Sequence, residues 1–283
     1  MFQRPANVDA ALNLVLDELP VAWRDLPRQV VSGGSAHETV LVGQKAAVRI
    51  ARDAGVAARM ARRQRVVDSL PDFSFRTPRS LSSVVNADGT SAVAVEYIPG
   101  EAITSGTGDP NQLMDLLREL WNADLAPIAP FVAEPLEYCG GDTWRHVMEE
   151  RVLPLFGSSY RGKVANSIGA LGDVISRGYS SPVLSHGDLA GHNMMWQDGV
   201  LVGVIDWDLA SLSDRSTDVA SLAAWHGFDI VERAVEDPQV IRDARVRFAS
   251  FPLQNVAFAV LNGRSAQEIE QTVARAEERL ARR

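Results

Sequence analysis

The chain has 283 residues, 46% of them hydrophobic, and 28 Lys and Arg against 36 Asp and Glu leave a net charge of −8. That length suits one large domain or two lobes with a substantial core. The acidic balance lacks the basic footprint of a nucleic-acid binder while permitting a cationic small-molecule partner. No run of about 18 apolar residues and no apolar leader occurs, so neither membrane spanning nor export is expected, and a cytoplasmic location follows.

Asn7 to Leu19 is apolar with helical periodicity, and Asn7 is its expected N-cap. Strands follow: Gln29-Val30-Val31-Ser32 into Gly33-Gly34-Ser35, then Glu38 to Val42, a Gly43-Gln44 turn, and Ala46 to Ile50. Three antiparallel strands with a glycine-rich first turn are implied. Gly55 to Leu70 reads as a helix, and Leu81 to Tyr97 as a hairpin turning at Asp88-Gly89. Beyond Pro99-Gly100 helices dominate. Asp109-Pro110 starts one that runs to Asp124, and Asp142 is expected to cap another to about Leu155. Further helices are expected over Asp218 to His226, Val231 to Phe248 and Ala266 to Arg283. The division therefore falls at Ile98-Pro99-Gly100, giving a sheet-rich part over 1–98 and a helical part over 99–283. Cys139, the single cysteine, cannot form an internal disulfide and reads as packing.

Ser185-His186-Gly187-Asp188-Leu189-Ala190-Gly191-His192-Asn193, followed by Val204-Ile205-Asp206-Trp207, carries the chemistry. Phosphoryl transfer from ATP needs a carboxylate to receive the acceptor hydroxyl's proton, with an amide and a second carboxylate to hold magnesium. Asp188, Asn193 and Asp206 supply that set. The spacing His-x-Asp-Leu-x-x-x-Asn matches a kinase catalytic loop with Gly187 in place of the usual arginine. Asp198-Gly199 between apolar runs is a two-residue hairpin signal that pairs Gln197 with Val200. Counting along that ladder sets Asn193 opposite Val204, so Asp206 shares its face, with the diagonal Cα atoms about 7–8 Å apart. A rival reading takes His186, Asp188 and His192 as transition-metal ligands, but His37, His146 and His226 are isolated and complete no such set.

With the glycine turn, the Ala47-Val48-Arg49 strand, the hinge, the His-Gly-Asp loop and the Ile-Asp-Trp strand in order, the chain resembles the aminoglycoside phosphotransferase family, from about Val30 to Trp225. Choline kinases, homoserine kinases and macrolide phosphotransferases share its protein-kinase-like fold. The resemblance implies an α+β, bilobal architecture, with a small antiparallel-sheet lobe and a mostly helical one. It makes Asp188 the catalytic base and Asn193 and Asp206 the Mg2+ ligands. Gly33, Gly34 and Ser35 become the turn over the phosphates of ATP, and Glu96 and Ile98 the hinge residues whose backbone meets adenine. Asp218 resembles the aspartate that braces the catalytic loop, although an N-cap would also be aspartate there. Two positions depart from the pattern. Arg49 stands where lysine is usual, and its always-charged fork can still bind phosphate oxygens. The helix glutamate expected to pair with that cation aligns with Gln64, a neutral amide.

The sequence therefore reads as an ATP- and magnesium-dependent phosphotransferase acting on a hydroxyl of a small molecule: an aminoglycoside-like, choline-like or amino-sugar acceptor. A nucleotide-binding regulatory protein without turnover is the alternative, motivated by Arg49 and Gln64. The acidic run of Glu134 and Glu137 with Asp142, Glu149 and Glu150 is placed to receive amino groups, and Trp144 and Trp225 could stack on a quaternary ammonium. Solvated acidic faces and core aromatics are the structural alternative for both.

Overall fold

A computed structural model describes residues 6–31, 36–178 and 181–282. Helix α1 (Ala6–Glu18) buries Ala11, Leu12, Val15 and Leu16, a stripe at helical spacing, against a five-stranded antiparallel sheet. Its strands are β1 (Arg28–Val31), β2 (His37–Val42), β3 (Ala46–Ala51), β4 (Val85–Ala87) and β5 (Thr90–Glu96), in the order β1-β2-β3-β5-β4. Period-two alternation lets the central strands bury both faces. Val48, Ile50, Ala92 and Ala94 pack with α1, while Ala51, Val93 and Val95 pack with Val56 and Met60 of α2 (Ala54–Asp68). Each such Val or Ile stabilises by about 1.5–3 kcal/mol on full burial. Asp53 caps α2 by accepting from the Val56 amide.

The helical part contains α3 (Pro110–Trp121), capped by Asp109 as expected, α4 (Trp144–Val147), α5 (Ser158–Ser176), and the strand β6 (Val183–Ser185). The hairpin β7 (Met194–Gln197) and β8 (Val200–Val204) follows, then β9 (Ser211–Ser213), α6 (Ser216–His226), α7 (Phe228–Ala234), α8 (Pro238–Leu261) and α9 (Ala266–Ala281). Helices α4, α5, α8 and α9 share a core of Trp144, Met148, Phe156, Ile168, Leu171, Leu253 and Leu280. Cys139 is buried beside them, and burial pushes its thiol up to about 12. Among the described residues no helix is long and apolar enough to cross a membrane.

The chain divides into two compact units: Met1–Ile103 with Asp124–Val132 and His192–Trp207, and Thr104–Ala123 with Ala133–Gly191 and Asp208–Arg283. This partition differs from a single cut at residue 98, because backbone bonds tie the β7–β8 hairpin into the first unit. Glu101 exchanges two hydrogen bonds with Trp196, both 2.9 Å, and Arg76 bonds Val202 and Val204. The segment Asp124–Val132 is held on α2, where Arg62 donates to the Val132 carbonyl and Arg65 lies over the Phe131 ring.

Several expected elements change. Asp142 caps no helix: it lies in a tight turn, Gly141–Thr143, and the following segment passes from α4 into a wide turn, Met148–Val152, before Pro154 closes it. Helix α5 carries Gly162, Gly169 and Gly172, which masked its periodicity, and the Arg145 guanidinium fills the space beside Gly172. The expected helix from Val231 to Phe248 is two helices, since Val235 is extended and Asp237-Pro238 caps a new start. The hairpin from Leu81 to Tyr97 does turn at Asp88-Gly89, both at positive φ; its regular ladder starts at Val85, and Leu81 joins further out with its amide on the Ala94 carbonyl at 2.8 Å.

Candidate active site

In the second unit, antiparallel β6 and β9 deliver the chain to His186-Gly187-Asp188. Asp218, the third residue of α6, reaches back to that loop: its carboxylate accepts from the Ser185 hydroxyl at 3.0 Å and from the His186 and Gly187 amides at 2.9 Å each. Asp218 is therefore a brace rather than a cap. Burial pushes its carboxyl up, opposed by the neighbouring His186 and by these three bonds. The fully buried His186 ring accepts the Asp188 amide at Nδ1, which commits that nitrogen to the loop. Gly187 has φ 82°, and a Cβ on it would overlap the Leu209 carbonyl oxygen, so the arginine usual here is excluded sterically. The indole of Trp225 covers Gly191 in the same way. Asp188 itself stays half-buried, between these fixed points.

In the first unit the hairpin carries Asn193 and Asp206, with a register one step from that expected. Gln197 does pair with Val200 across Asp198-Gly199, but a bulge follows, so that Met195 faces Gly203 and Met194 faces Val204. Asn193 consequently receives the Ile205 amide on its carbonyl rather than facing Val204. The bulge has a cause in Val202, whose carbonyl accepts from the Arg76 amide instead. Strand alternation then no longer aims Asp206. Its φ of 62° does, together with Trp207, which is buried, donates to the Val204 carbonyl at 3.0 Å and stacks on Phe73. The turn throws the carboxylate outward, 48% exposed.

Arg49 meets it there, with Nη2 3.0 Å from Asp206 Oδ1. Because β3 is the centre of the sheet, Arg49 is no edge residue and its side chain is only 14% exposed. Gln64 does not serve as the expected partner: buried, its amide donates to Asp68 and to the Pro78 carbonyl. The carboxylate paired with the cation is Asp206, a pairing no local spacing reveals, since 157 residues separate the two.

Gly33, Gly34 and Ser35 lie outside the described residues. Glu96 ends β5 opposite Ala46, with its amide on the Arg79 carbonyl, and the Ile98 side chain presses on Gly203 of β8. Trp144 belongs to the helical core, whereas Trp225 is half-exposed. Glu134 and Asp142 are exposed, and Glu149 pairs with Arg145 at 3.4 Å.

An α+β, protein-kinase-like architecture with a braced His-Gly-Asp loop and an Ile-Asp-Trp turn defines a small-molecule kinase, a phosphotransferase with an alcohol group as acceptor. The chain belongs to the phosphotransferase enzyme family, whose model matches residues 28–249. It is 27% identical over 267 residues to the viomycin phosphotransferase of Streptomyces vinaceus, covering 85% of this chain and 91% of that protein. Among solved structures it is similar to the GDP complex of aminoglycoside 2'-phosphotransferase-IIIa, with TM-score 0.77 and 16% identity over 98% of this chain and 99% of that one. It is also similar to the streptomycin–ATP ternary complex of APH(2")-IIa, with TM-score 0.69 and 15% identity over 98% and 97%. At such identities these two likenesses are of fold.

Proposed function

We propose that the chain transfers the γ-phosphoryl group of ATP, with magnesium, to a hydroxyl of a cationic small molecule of antibiotic type. The observation that carries the reading is the brace: a buried carboxylate spending three hydrogen bonds on the loop of Asp188 fixes one particular side chain in place. Asp188 then orients the acceptor hydroxyl and takes its proton. Asn193 and Asp206 offer the hard oxygen donors magnesium prefers, and Asp206 already attracts a cation in Arg49. The metal would supply charge neutralisation on the phosphates. Arg49, paired with Asp206 beside the metal-binding oxygens, contributes the second positive charge toward the phosphates. Against the alternative of a regulatory protein without turnover, the reading is supported by the carboxylate that Arg49 finds in Asp206 in place of Gln64.

The cationic acceptor rests on the net charge of −8, on the exposed carboxylates of Glu134 and Asp142, and on the viomycin and streptomycin named for similar proteins. Magnesium-dependent ATP consumption should be compared across viomycin, streptomycin, choline, homoserine, a macrolide and an uncharged sugar, with GTP as the alternative donor. The expected result is turnover with a cationic acceptor that slows as salt screens it. Consumption with none of them, or with the neutral sugar alone, overturns the acceptor assignment.

A further inference from the structure

Helix α8 carries a buried polar stripe that the roles above leave unused. Arg247, Ser250 and Gln254 fall at i, i+3 and i+7, one face of the helix, and all are nearly closed to solvent. Ser250 donates to the Arg247 carbonyl at 2.7 Å, Gln254 donates to the Ser250 hydroxyl at 2.6 Å, and the Tyr138 hydroxyl donates to Gln254. A guanidinium taken out of water costs several kcal/mol, and apolar side chains would hold two helices together without that penalty. Arg247 therefore has to be explained by what its fork touches.

Its Nε donates to the Ser216 hydroxyl at 2.8 Å and its Nη2 pairs with Asp214. The other oxygen of Asp214 accepts from the Ser216 amide at 2.7 Å and from the Ser216 hydroxyl. Ser216 opens α6, and Asp218 stands two residues further on. We propose that Arg247 is a positioning residue for the catalytic loop: it fixes the first turn of α6 in translation and rotation, so that the Asp218 carboxylate stays on the Ser185 hydroxyl and the His186 and Gly187 amides. A planar fork bonded at two angles resists rotation of that turn, which a single ammonium cannot do. The consequence for turnover rests on the reading of Asp188 as the base, while the positioning itself stands on this geometry.

Two variants test it. Ser216→Ala removes one hydroxyl and disturbs packing little, and Arg247→Lys keeps the charge but loses the fork. Amide hydrogen exchange is followed over residues 185–188, with α9 as internal reference, alongside kcat and KM for ATP with water and with viomycin as acceptors. Exchange at 186 and 187 is expected to quicken about tenfold relative to α9, because those amides lose a well-placed acceptor. A fall in kcat of about tenfold at unchanged KM for ATP accompanies it, as misplacement of a reacting group implies. Unchanged exchange at 185–188 in both variants, or an increase shared equally with α9, overturns the proposal. If exchange responds as expected while Asp188→Asn retains full turnover, the positioning stands and the catalytic reading of Asp188 falls.

Discussion

The His-Gly-Asp loop and the β7–β8 hairpin, to which the proposed function assigns the chemistry, are held in opposite ways. The loop is set by buried groups: Asp218 beneath it, His186 folded on its own Asp188 amide, Gly187 against Leu209. The hairpin ends in an outward carboxylate, aimed by a positive φ and met by one arginine across the sheet. A buried, fully bonded loop cannot yield without losing several hydrogen bonds at once, so it is preorganised. The Asp206 carboxylate, half-exposed, meets solvent as well as Arg49 and can exchange partners. On the proposed reading, the protein is rigid where a proton is received and adjustable where a charged ligand enters.

The largest effect should come from the rigid side. Asp188→Asn is expected to lower kcat by about 10²–10⁴-fold with ATP affinity nearly intact, as removal of a general base does; side-by-side turnover and calorimetry check it, and wild-type turnover refutes the assignment. Next, a pair of glycines separates the two regions in stability. Gly187→Ala adds a clash with Leu209 to the strain of φ 82° and should destabilise by about 3 kcal/mol. Gly199→Ala, at φ 78° with open space around it, should lose about 1 kcal/mol. Urea denaturation of both gives the contrast, and equal losses would mean that the loop is no tighter than the hairpin turn.

On the adjustable side, Asp206→Ala should weaken magnesium-dependent ATP binding roughly tenfold, more than Asn193→Ala, because a full charge leaves rather than an amide. Calorimetry with and without magnesium reports it; equal small effects would make the hairpin merely structural. Arg49→Met should lower ATP affinity more than it lowers the melting temperature, whereas Arg49→Lys should keep part of that affinity. A large melting-temperature loss in Arg49→Met would show that the ion pair is structural.

The smallest effect concerns the far end of α6. His226 is buried with Nδ1 2.5 Å from the Thr107 carbonyl oxygen, and desolvation lowers its pKa. A neutral buried imidazole adds stability that is fully present above its unfolded value of about 6.5 and is lost as pH falls through the lowered folded value. Thermal melts between pH 7.5 and 5 should therefore fall more steeply for the wild type than for His226→Gln. Parallel curves would remove His226 from the account.

Spacing and turn chemistry in the sequence determined the hairpin at Asp198-Gly199, the helix start at Asp109-Pro110 and the antiparallel sheet, since each depends on neighbours a few residues away, and the same spacing singled out Asp188, Asn193 and Asp206 as the candidate set. Glycine-rich α5 escaped because periodicity weakens where small residues replace apolar ones, and the break at Val235 because one proline outweighed a continuous pattern. Only the tertiary structure decided the rest. Val202 gave its carbonyl to Arg76, and that bond shifted the hairpin register and handed the aim of Asp206 to its own backbone. Arg49 took Asp206 in place of Gln64, and Arg247 reached α6 from 31 residues away. Such partners are chosen by burial and by the fixed directions of hydrogen bonds between distant segments, which no local pattern in the chain encodes.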